Sequence, residues 1–252
     1  MSNSARQDEI LDILEKQGYV TVKYLTSALH YSSATVNRDL NALSAKGLVR
    51  RSHGGVELMR AEYVPVFFRA HRMGKEKRRI GEVAASFVSD GDTIFIDGST
   101  TAQCMEHHLS GKKGLTVITN NIVLAANLSN NSIDVVCLGG RIFEAPSMLL
   151  GPETAENAAR YRVDKMFFST GAVSFDGKID SSNYDPLLSA VAKNAGRVFY
   201  LVDHQKLDKP FNRIYCDFSA IDTVISDFDF SPEVRESYGK TEFINVFEMV
   251  DR

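Results

Sequence analysis

From Thr93 to Val246, short apolar runs of strand character alternate with stretches of helical spacing, and most runs end on glycine or a small polar residue. The runs cover residues 93–96, 115–119, 133–138, 165–169, 197–203, 223–226 and 243–246, with helical spacing in 80–88, 102–109, 121–128, 186–195 and 232–238. Strands that are apolar on both faces and separated by amphipathic helices pack as a mainly parallel sheet with helices on both sides. Residues 80–252 are therefore expected to form a Rossmann-like α/β domain.

The first of these strands carries the most chemistry. It runs into Asp97 and a hydroxyl-rich turn, Gly98, Ser99, Thr100 and Thr101, before a helix spaced through Ala102, Met105 and Leu109. A turn that opens a helix aims unpaired N–H groups and the positive end of the helix dipole at one spot, which attracts anions. The turn reads as a phosphate cradle, with Lys206 or Arg141 adding charge-assisted bonds. Other strands end in the same way, at Thr119, Asn120 and Asn121, at Gly139, Gly140 and Arg141, at Gly171, and at Asp203. Ligands of open α/β sheets bind at that edge. Each loop alone is an ordinary strand-to-helix turn; five in register point to a pocket. Asp97 and Asp203 would repel a phosphate in contact with them, and fit better as acceptors for sugar hydroxyls or as loop anchors.

Residues 1–58 follow a different pattern. Ile10, Ile13 and Leu14 recur at helical spacing up to Gly18, and residues 19–22 read as a short β segment. A second helix over 23–29 turns Leu25, Ala28 and Leu29 inward. A third, capped by Ser32 or Ser33 and closed by Lys46-Gly47, buries Val36, Leu40 and Leu43. Two helices joined by a tight turn form a helix-turn-helix. The outward face of its last helix carries Ser33, Ala34, Asn37, Arg38 and Asn41, side chains suited to a major groove. Leu48 to Leu58 then reads as a hairpin wing whose Arg50, Arg51 and His53 reach phosphates or the minor groove. A helical module that touches only protein would explain neither the polar face nor the arginines.

The overall charge of −3 conceals an asymmetry. Residues 1–79 hold 14 Lys+Arg against 8 Asp+Glu, and residues 80–252 hold 15 against 24, so a basic small part precedes an acidic large one. Residues 59–79 read as a connection, broken by Pro65 and ending in the cationic run Lys75-Glu-Lys-Arg-Arg79. That run is either a solvated helix start or an added phosphate contact. Cys104, Cys137 and Cys216 lack metal-ligand spacing and read as buried thiols; His107 and His108 are adjacent, roughly 100° apart on a helix, and do not form a metal pair. Neither a metal nor a cofactor is called for. No apolar run approaches the roughly 18 residues of a membrane span, and a cytoplasmic location is expected.

Arg6-x3-Ile10-x3-Leu14, Ser32-x2-Thr35-Val36-Asn37-Arg38-Asp39-Leu40 and Arg51-x-His53-Gly54-Gly55 together resemble the signature of DeoR-type bacterial transcriptional repressors. Asp90-Gly-Asp92, Asp97-x-Ser-Thr-Thr101, Thr119-Asn120, Leu138-Gly-Gly140, Asp203-x2-Lys206 and Ile225-x-Asp227 extend the likeness to that family's sensor domain, which resembles ribose-5-phosphate isomerase. The resemblance implies a winged helix-turn-helix on double-stranded operator DNA and a phosphorylated sugar or sugar alcohol as effector. It also makes Arg69 and Lys77 part of a signal-transmitting segment.

Three positions depart from the family pattern. Asn37 stands where arginine is usual, and arginine pairs with guanine whereas asparagine pairs with adenine. The expectation is a changed base preference at one operator position rather than lost binding. Asn183 stands in place of a glutamate, which Asp185 would replace, and Ser189 stands in place of a lysine.

Two further readings stay open. One is a sugar-phosphate isomerase with an appended DNA module, using Asp97, Asp185 or Asp203 as its base. The other is regulation by a protein partner without a small ligand. Paired half-sites imply a homo-oligomer, a dimer or tetramer.

Overall fold

Residues 3–45, 48–52, 54–58, 74–131, 133–143, 148–180 and 185–248 are described by the computed structural model. They belong to two units, Met1–Gly74 and Lys75–Arg252. The expectations for Lys46-Gly47, His53, Arg69 and Asn183 lie outside the described residues.

In the first unit, α1 (Asn3–Gln17) ends where Gly18 takes a φ of +72° and its N–H donates to the Leu14 carbonyl at 2.8 Å. Strand β1 (Tyr19–Thr21) leads into α2 (Val22–Leu29), whose first turn is capped by the Thr21 hydroxyl accepting from the Tyr24 N–H at 3.1 Å. Helix α3 (Ser33–Ala45) starts from the Ser32 hydroxyl, which accepts from the Thr35 N–H at 3.2 Å. Strands β2 (Val49–Ser52) and β3 (Gly55–Leu58) form the wing, and β1 joins β3 to complete a three-stranded antiparallel sheet. Ile10, Leu14, Leu25, Val36, Leu40 and Val56 fill the core. Arg6 and Asp39 form a buried ion pair in which the Arg6 Nη2 donates to Asp39 Oδ1 at 3.0 Å, and the Arg6 guanidinium lies over the Tyr31 ring. The pair ties α1 to the underside of α3.

The second unit is built on a seven-stranded sheet. Its strands are β4 (Thr93–Ile96), β5 (Thr116–Thr119), β6 (Asp134–Cys137), β9 (Val163–Phe168), β11 (Ala195–Val202), β13 (Thr223–Ser226) and β14 (Glu242–Asn245). All neighbours are parallel, in the order β14-β13-β11-β9-β4-β5-β6. Successive side chains of a strand point to opposite faces, and two cores result. Ile94, Ile96, Phe167, Phe199 and Leu201 pack under α4 (Gly74–Ser86), a short α5 (Thr100–Gln103) and α6 (Ile122–Ser129). Phe95, Met166, Phe168, Tyr200 and Val202 pack under α7 (Pro152–Ala158) and α8 (Asp185–Ala192). A last helix, α9 (Pro232–Ser237), precedes β14.

The chain moves outward from β4 to β5 and β6, then returns to the other side of β4 with β9. The loops after β4 and β9 therefore leave the sheet at its switch point, where the fold opens a crevice.

Several sequence expectations change in detail. Ala28 is exposed, because the inward stripe of α2 runs through Val22, Leu25, Thr26 and Leu29. The helix expected over 102–109 keeps only one α turn and continues as a 3₁₀ segment, Cys104–His108. Its β-branched start at Thr100 and Thr101 has weak helix propensity. Cys137 is exposed rather than buried, since β6 is an edge strand; Cys104 and Cys216 are half-buried. Residues 75–79, read as connection, are the opening turns of α4. Two small antiparallel pairs flank the sheet, β7 (Arg141–Phe143) with β8 (Met148–Leu150) and β10 (Lys178–Asp180) with β12 (Ile214–Asp217).

Gly81 of α4 lies against the chain that follows α5, and a Cβ placed on it would sit 2.7 Å from the Cys104 backbone carbon. Gly81→Ala is expected to lower the stability of this unit by about 1–3 kcal/mol, because the backbone must shift to admit the methyl group. Denaturant unfolding of the full-length variant checks this; an unchanged midpoint contradicts the packing.

Candidate functional site

In the second unit, the ends of three strands are drawn together by Lys206. Its Nζ donates to Thr101 Oγ1 after β4 at 2.8 Å and to Ser169 Oγ after β9 at 2.7 Å, and it lies 3.6 Å from Asp203 Oδ2 after β11. A second ammonium arrives from α4, where Lys77 Nζ donates to Thr100 Oγ1 at 3.2 Å. Lys77 and Thr100 are buried, and Thr101 is wholly so. The cradle therefore has two cations on adjacent threonines of one turn. The first-turn N–H groups of Thr100 and Thr101 have no acceptor within their own helix.

Asp97 anchors this turn. One carboxylate oxygen accepts from the Ser99 N–H at 3.2 Å and the Ser99 hydroxyl at 2.5 Å; the other accepts from the Ser169 N–H at 3.4 Å. Ser99 is fully employed as well, for its hydroxyl accepts from the Ala102 N–H and caps α5. Burial pushes the Asp97 carboxyl up to about 6, against the opposing pull of Ser99, Ser169 and Lys206. At Asp203 burial also works against ionisation, yet Lys206, Lys77 and Lys209 outweigh it and hold the carboxyl below its usual range. The two aspartates differ because more cations face Asp203.

The remaining strand-end residues divide. The Asn120 amide nitrogen donates to the Leu149 carbonyl at 3.1 Å, clamping β8 beside Gly98, where a Cβ would strike Met148. Asn120 Oδ1 and Asp203 Oδ2 are buried acceptors with no hydrogen-bond partner among the described residues. Thr119 accepts from the Asn121 N–H, and Asn121 caps α6. Gly139 and Gly140 serve packing: Thr154 donates to the Gly139 carbonyl at 2.7 Å and occupies the space a Gly140 Cβ would need. Arg141 is exposed at the start of β7. Gly171 lies beside Asp180, whose carboxyl is raised by burial and then by Asp185; Asp185 Oδ2 is 3.6 Å from Arg213.

Lys77 and Ser169 escaped the reading of the loops. The signal for Lys77 is its register, since it shares the buried stripe of α4 with Ile80, Gly81 and Ala84, and a lysine on such a stripe needs polar partners.

In the first unit, the exposed side of α3 bears Ser33, Arg38 and Asn41, with Asn37 half-exposed; Thr35 is tied to Ser32 by a 2.9 Å hydroxyl contact. Arg50 is paired with Glu57 across the wing at 2.7 Å. Arg51 leaves the wing for α3, where its Nη2 donates to Asn37 Oδ1 at 2.6 Å and its Nη1 to Asn41 Oδ1. Arg38 keeps its charge exposed.

Two family profiles match, one described as a DeoR-like helix-turn-helix domain over residues 6–62 and one as a DeoR C terminal sensor domain over residues 72–228. The lactose phosphotransferase system repressor of Lactococcus lactis subsp. lactis is 32% identical, covering 95% of this chain and 97% of the relative. The glycerol-3-phosphate regulon repressor of Escherichia coli (strain K12) is 27% identical, covering 90% and 92%. The HTH-type transcriptional repressor GlcR of Bacillus subtilis (strain 168) is 31% identical, covering 90% and 89%. Among solved structures, ribose 5-phosphate isomerase A from Neisseria gonorrhoeae matches at 18% identity and a TM-score of 0.38 over 52% of each chain, too distant to bear on function.

The raised Asp97 has a pH signature. With a folded value of about 6 against an ordinary 3.8, the native state holds a proton that the unfolded chain has released between about pH 4 and 6. Its contribution to stability therefore falls by up to ~3 kcal/mol as pH rises through that window and is level above it. Asp97→Asn is expected to abolish this part of the slope, as read from denaturant unfolding at pH 4, 5, 6 and 7. Equal slopes for the two proteins contradict the assignment.

Proposed function

The chain belongs to the DeoR family of helix-turn-helix transcriptional regulators, and on that premise we propose that it represses a carbohydrate-utilisation operon. Its hold on double-stranded operator DNA is changed by a phosphorylated sugar or sugar alcohol bound at the strand ends of the α/β unit. The observation that carries the effector reading is the pairing of Lys77 and Lys206 on Thr100 and Thr101. A buried and a half-buried ammonium group beside first-turn N–H donors suit a phosphate dianion. Asn120 Oδ1 and Asp203 Oδ2 supply acceptors for hydroxyl groups. Relatives named for a lactose phosphotransferase system and a glycerol-3-phosphate regulon support the same effector class.

The enzymatic reading loses its support. Relatives aligned over nearly the whole chain are named repressors, and both oxygens of Asp97 are committed to Ser99 and Ser169. We assign residues 1–58 to DNA reading, 59–73 to the connection and the chain from Gly74 to sensing. The functional form is a homo-oligomer on paired half-sites. No helix among the described residues is long and apolar enough to cross a membrane, and a reader of bacterial operator DNA works in the cytoplasm.

The test is a thermal-shift screen of sugar phosphates and sugar-alcohol phosphates, followed by operator binding with and without the hit. At about 100 times its Kd, the effector is expected to stabilise the protein by about 2.7 kcal/mol, roughly 5–10 °C for a unit of this size. Operator affinity is expected to fall about 5- to 150-fold, the usual span of allosteric coupling. Lys77→Met and Lys206→Met should each abolish the thermal shift. If no phosphorylated metabolite stabilises the chain while a protein partner alters its DNA binding, the effector reading fails.

A further inference from the structure

The base-reading face of α3 is not the one that its residue types suggest. An asparagine that reads adenine needs its amide oxygen free to accept from N6 and its amide nitrogen free to donate to N7. In Asn37 both groups are already engaged within the unit. Its oxygen accepts from Arg51 Nη2 at 2.6 Å, and its nitrogen donates to the Ser33 carbonyl at 2.9 Å and the Ser33 hydroxyl at 3.3 Å. Asn41 also turns its oxygen to Arg51. The amide orientations follow from chemistry, because a guanidinium has donors only and must face oxygens.

Arg51 is thereby fixed from two sides one turn apart on α3, although it belongs to β2. A guanidinium has five N–H donors, of which these contacts use two. The rest remain at an exposed side chain, next to the Asn41 amide nitrogen, which has no partner among the described residues. The remaining donors of Arg51 and those of the Asn41 amide nitrogen lie side by side on this surface. In the major groove, guanine presents two acceptors, O6 and N7, that match a guanidinium fork; thymine presents only O4, and adenine and cytosine each present an amino donor that a guanidinium cannot satisfy. Arg50, the neighbouring arginine, pairs with Glu57 across the wing and makes no hydrogen bond to α3 among the described residues, so it is not braced in the same way.

From this geometry we infer that Arg51, supplied by the wing and held by Asn37 and Asn41, is the group that reads a base, and that the base is guanine. Asn37 is a positioning residue. The inference rests on the assignment of residues 1–58 to DNA reading, and it deepens that assignment by naming which side chain specifies sequence. A guanidinium already braced in place loses little side-chain freedom on docking, so its discrimination is not offset by ordering.

Selection of binding sites from a randomised duplex library by the purified full-length protein, at fixed salt, tests this. The wild-type chain is expected to enrich sites with a guanine in each half-site whose replacement weakens binding about 10- to 100-fold. Arg51→Lys keeps the charge and loses the fork. It should lose that guanine preference while every other position holds. Asn37→Ala should blunt the same preference and affect no adenine.

Three results overturn the proposal. One is an Asn37→Ala variant that loses an adenine preference with all guanines intact. Another is an Arg51→Lys variant that binds all sequences more weakly by one common factor, the mark of a phosphate contact. The third is an Arg51→Lys variant with a lowered melting temperature and an unchanged sequence preference, the mark of a mere brace. A wild-type chain that enriches no sequence defeats the DNA-reading assignment itself, a failure distinct from these.

Discussion

A single ammonium group holds together chain segments that the sheet would otherwise let diverge. Lys206 follows β11, yet it reaches hydroxyls after β4 and after β9, on both sides of the point where the strand order reverses. Apart from it, Asp97 links these segments among the described residues, its carboxylate accepting from the Ser169 N–H and its own N–H donating to the Phe167 carbonyl. Lys77 and the two aspartates complete an arrangement in which each buried charge depends on the others. Removing one partner from such a group leaves an unbalanced charge out of water, which is far more destabilising than the net worth of the pair. The polar contacts of the site are thus made before any ligand arrives, which suits the phosphate cradle proposed for it.

The first unit solves a similar problem with the opposite exposure. Arg6 and Asp39 meet in the interior and set the angle between α1 and α3, while Arg51 meets Asn37 and Asn41 at the surface. Asp39 sits beside Arg38 in the sequence, so adjacent residues on α3 perform inward anchoring and outward display. Fixing the underside of α3 is what lets its outer side present a defined donor pattern.

Much of this architecture was legible in the residues. Strands such as Thr93–Ile96 and Thr223–Ser226 announce themselves by adjacent β-branched and apolar residues without a polar alternation, which a sheet covered on both faces tolerates. The helix-turn-helix was legible through Ser32 and the spacing of Val36, Leu40 and Leu43. The three-residue strands β7 and β8 were not, because so short a segment carries no period. The resemblance marked Lys77 for signal transmission, but its place in the pocket was hidden by its neighbours: Lys75, Arg78 and Arg79 make the run look uniformly solvated, and only the register of α4 turns one member inward. The commitment of Asn37 was invisible for another reason. Its partner lies fourteen residues away on a different element, and propensity and spacing are blind to such a contact.

Gly81 gives the α/β unit a mechanical property. Helix α4 carries Lys77, and its Gly81 brings no side chain of its own to the backbone and Cβ of Cys104, which follows the turn formed by Thr100 and Thr101. Side chains act as compliant cushions, since a rotamer change absorbs a small displacement of one element before it reaches the next. A bare glycine seated against backbone leaves less of that slack. A displacement of the Thr100 turn therefore meets α4, the helix into which residues 59–73 lead, with less slack than a side-chain contact would leave.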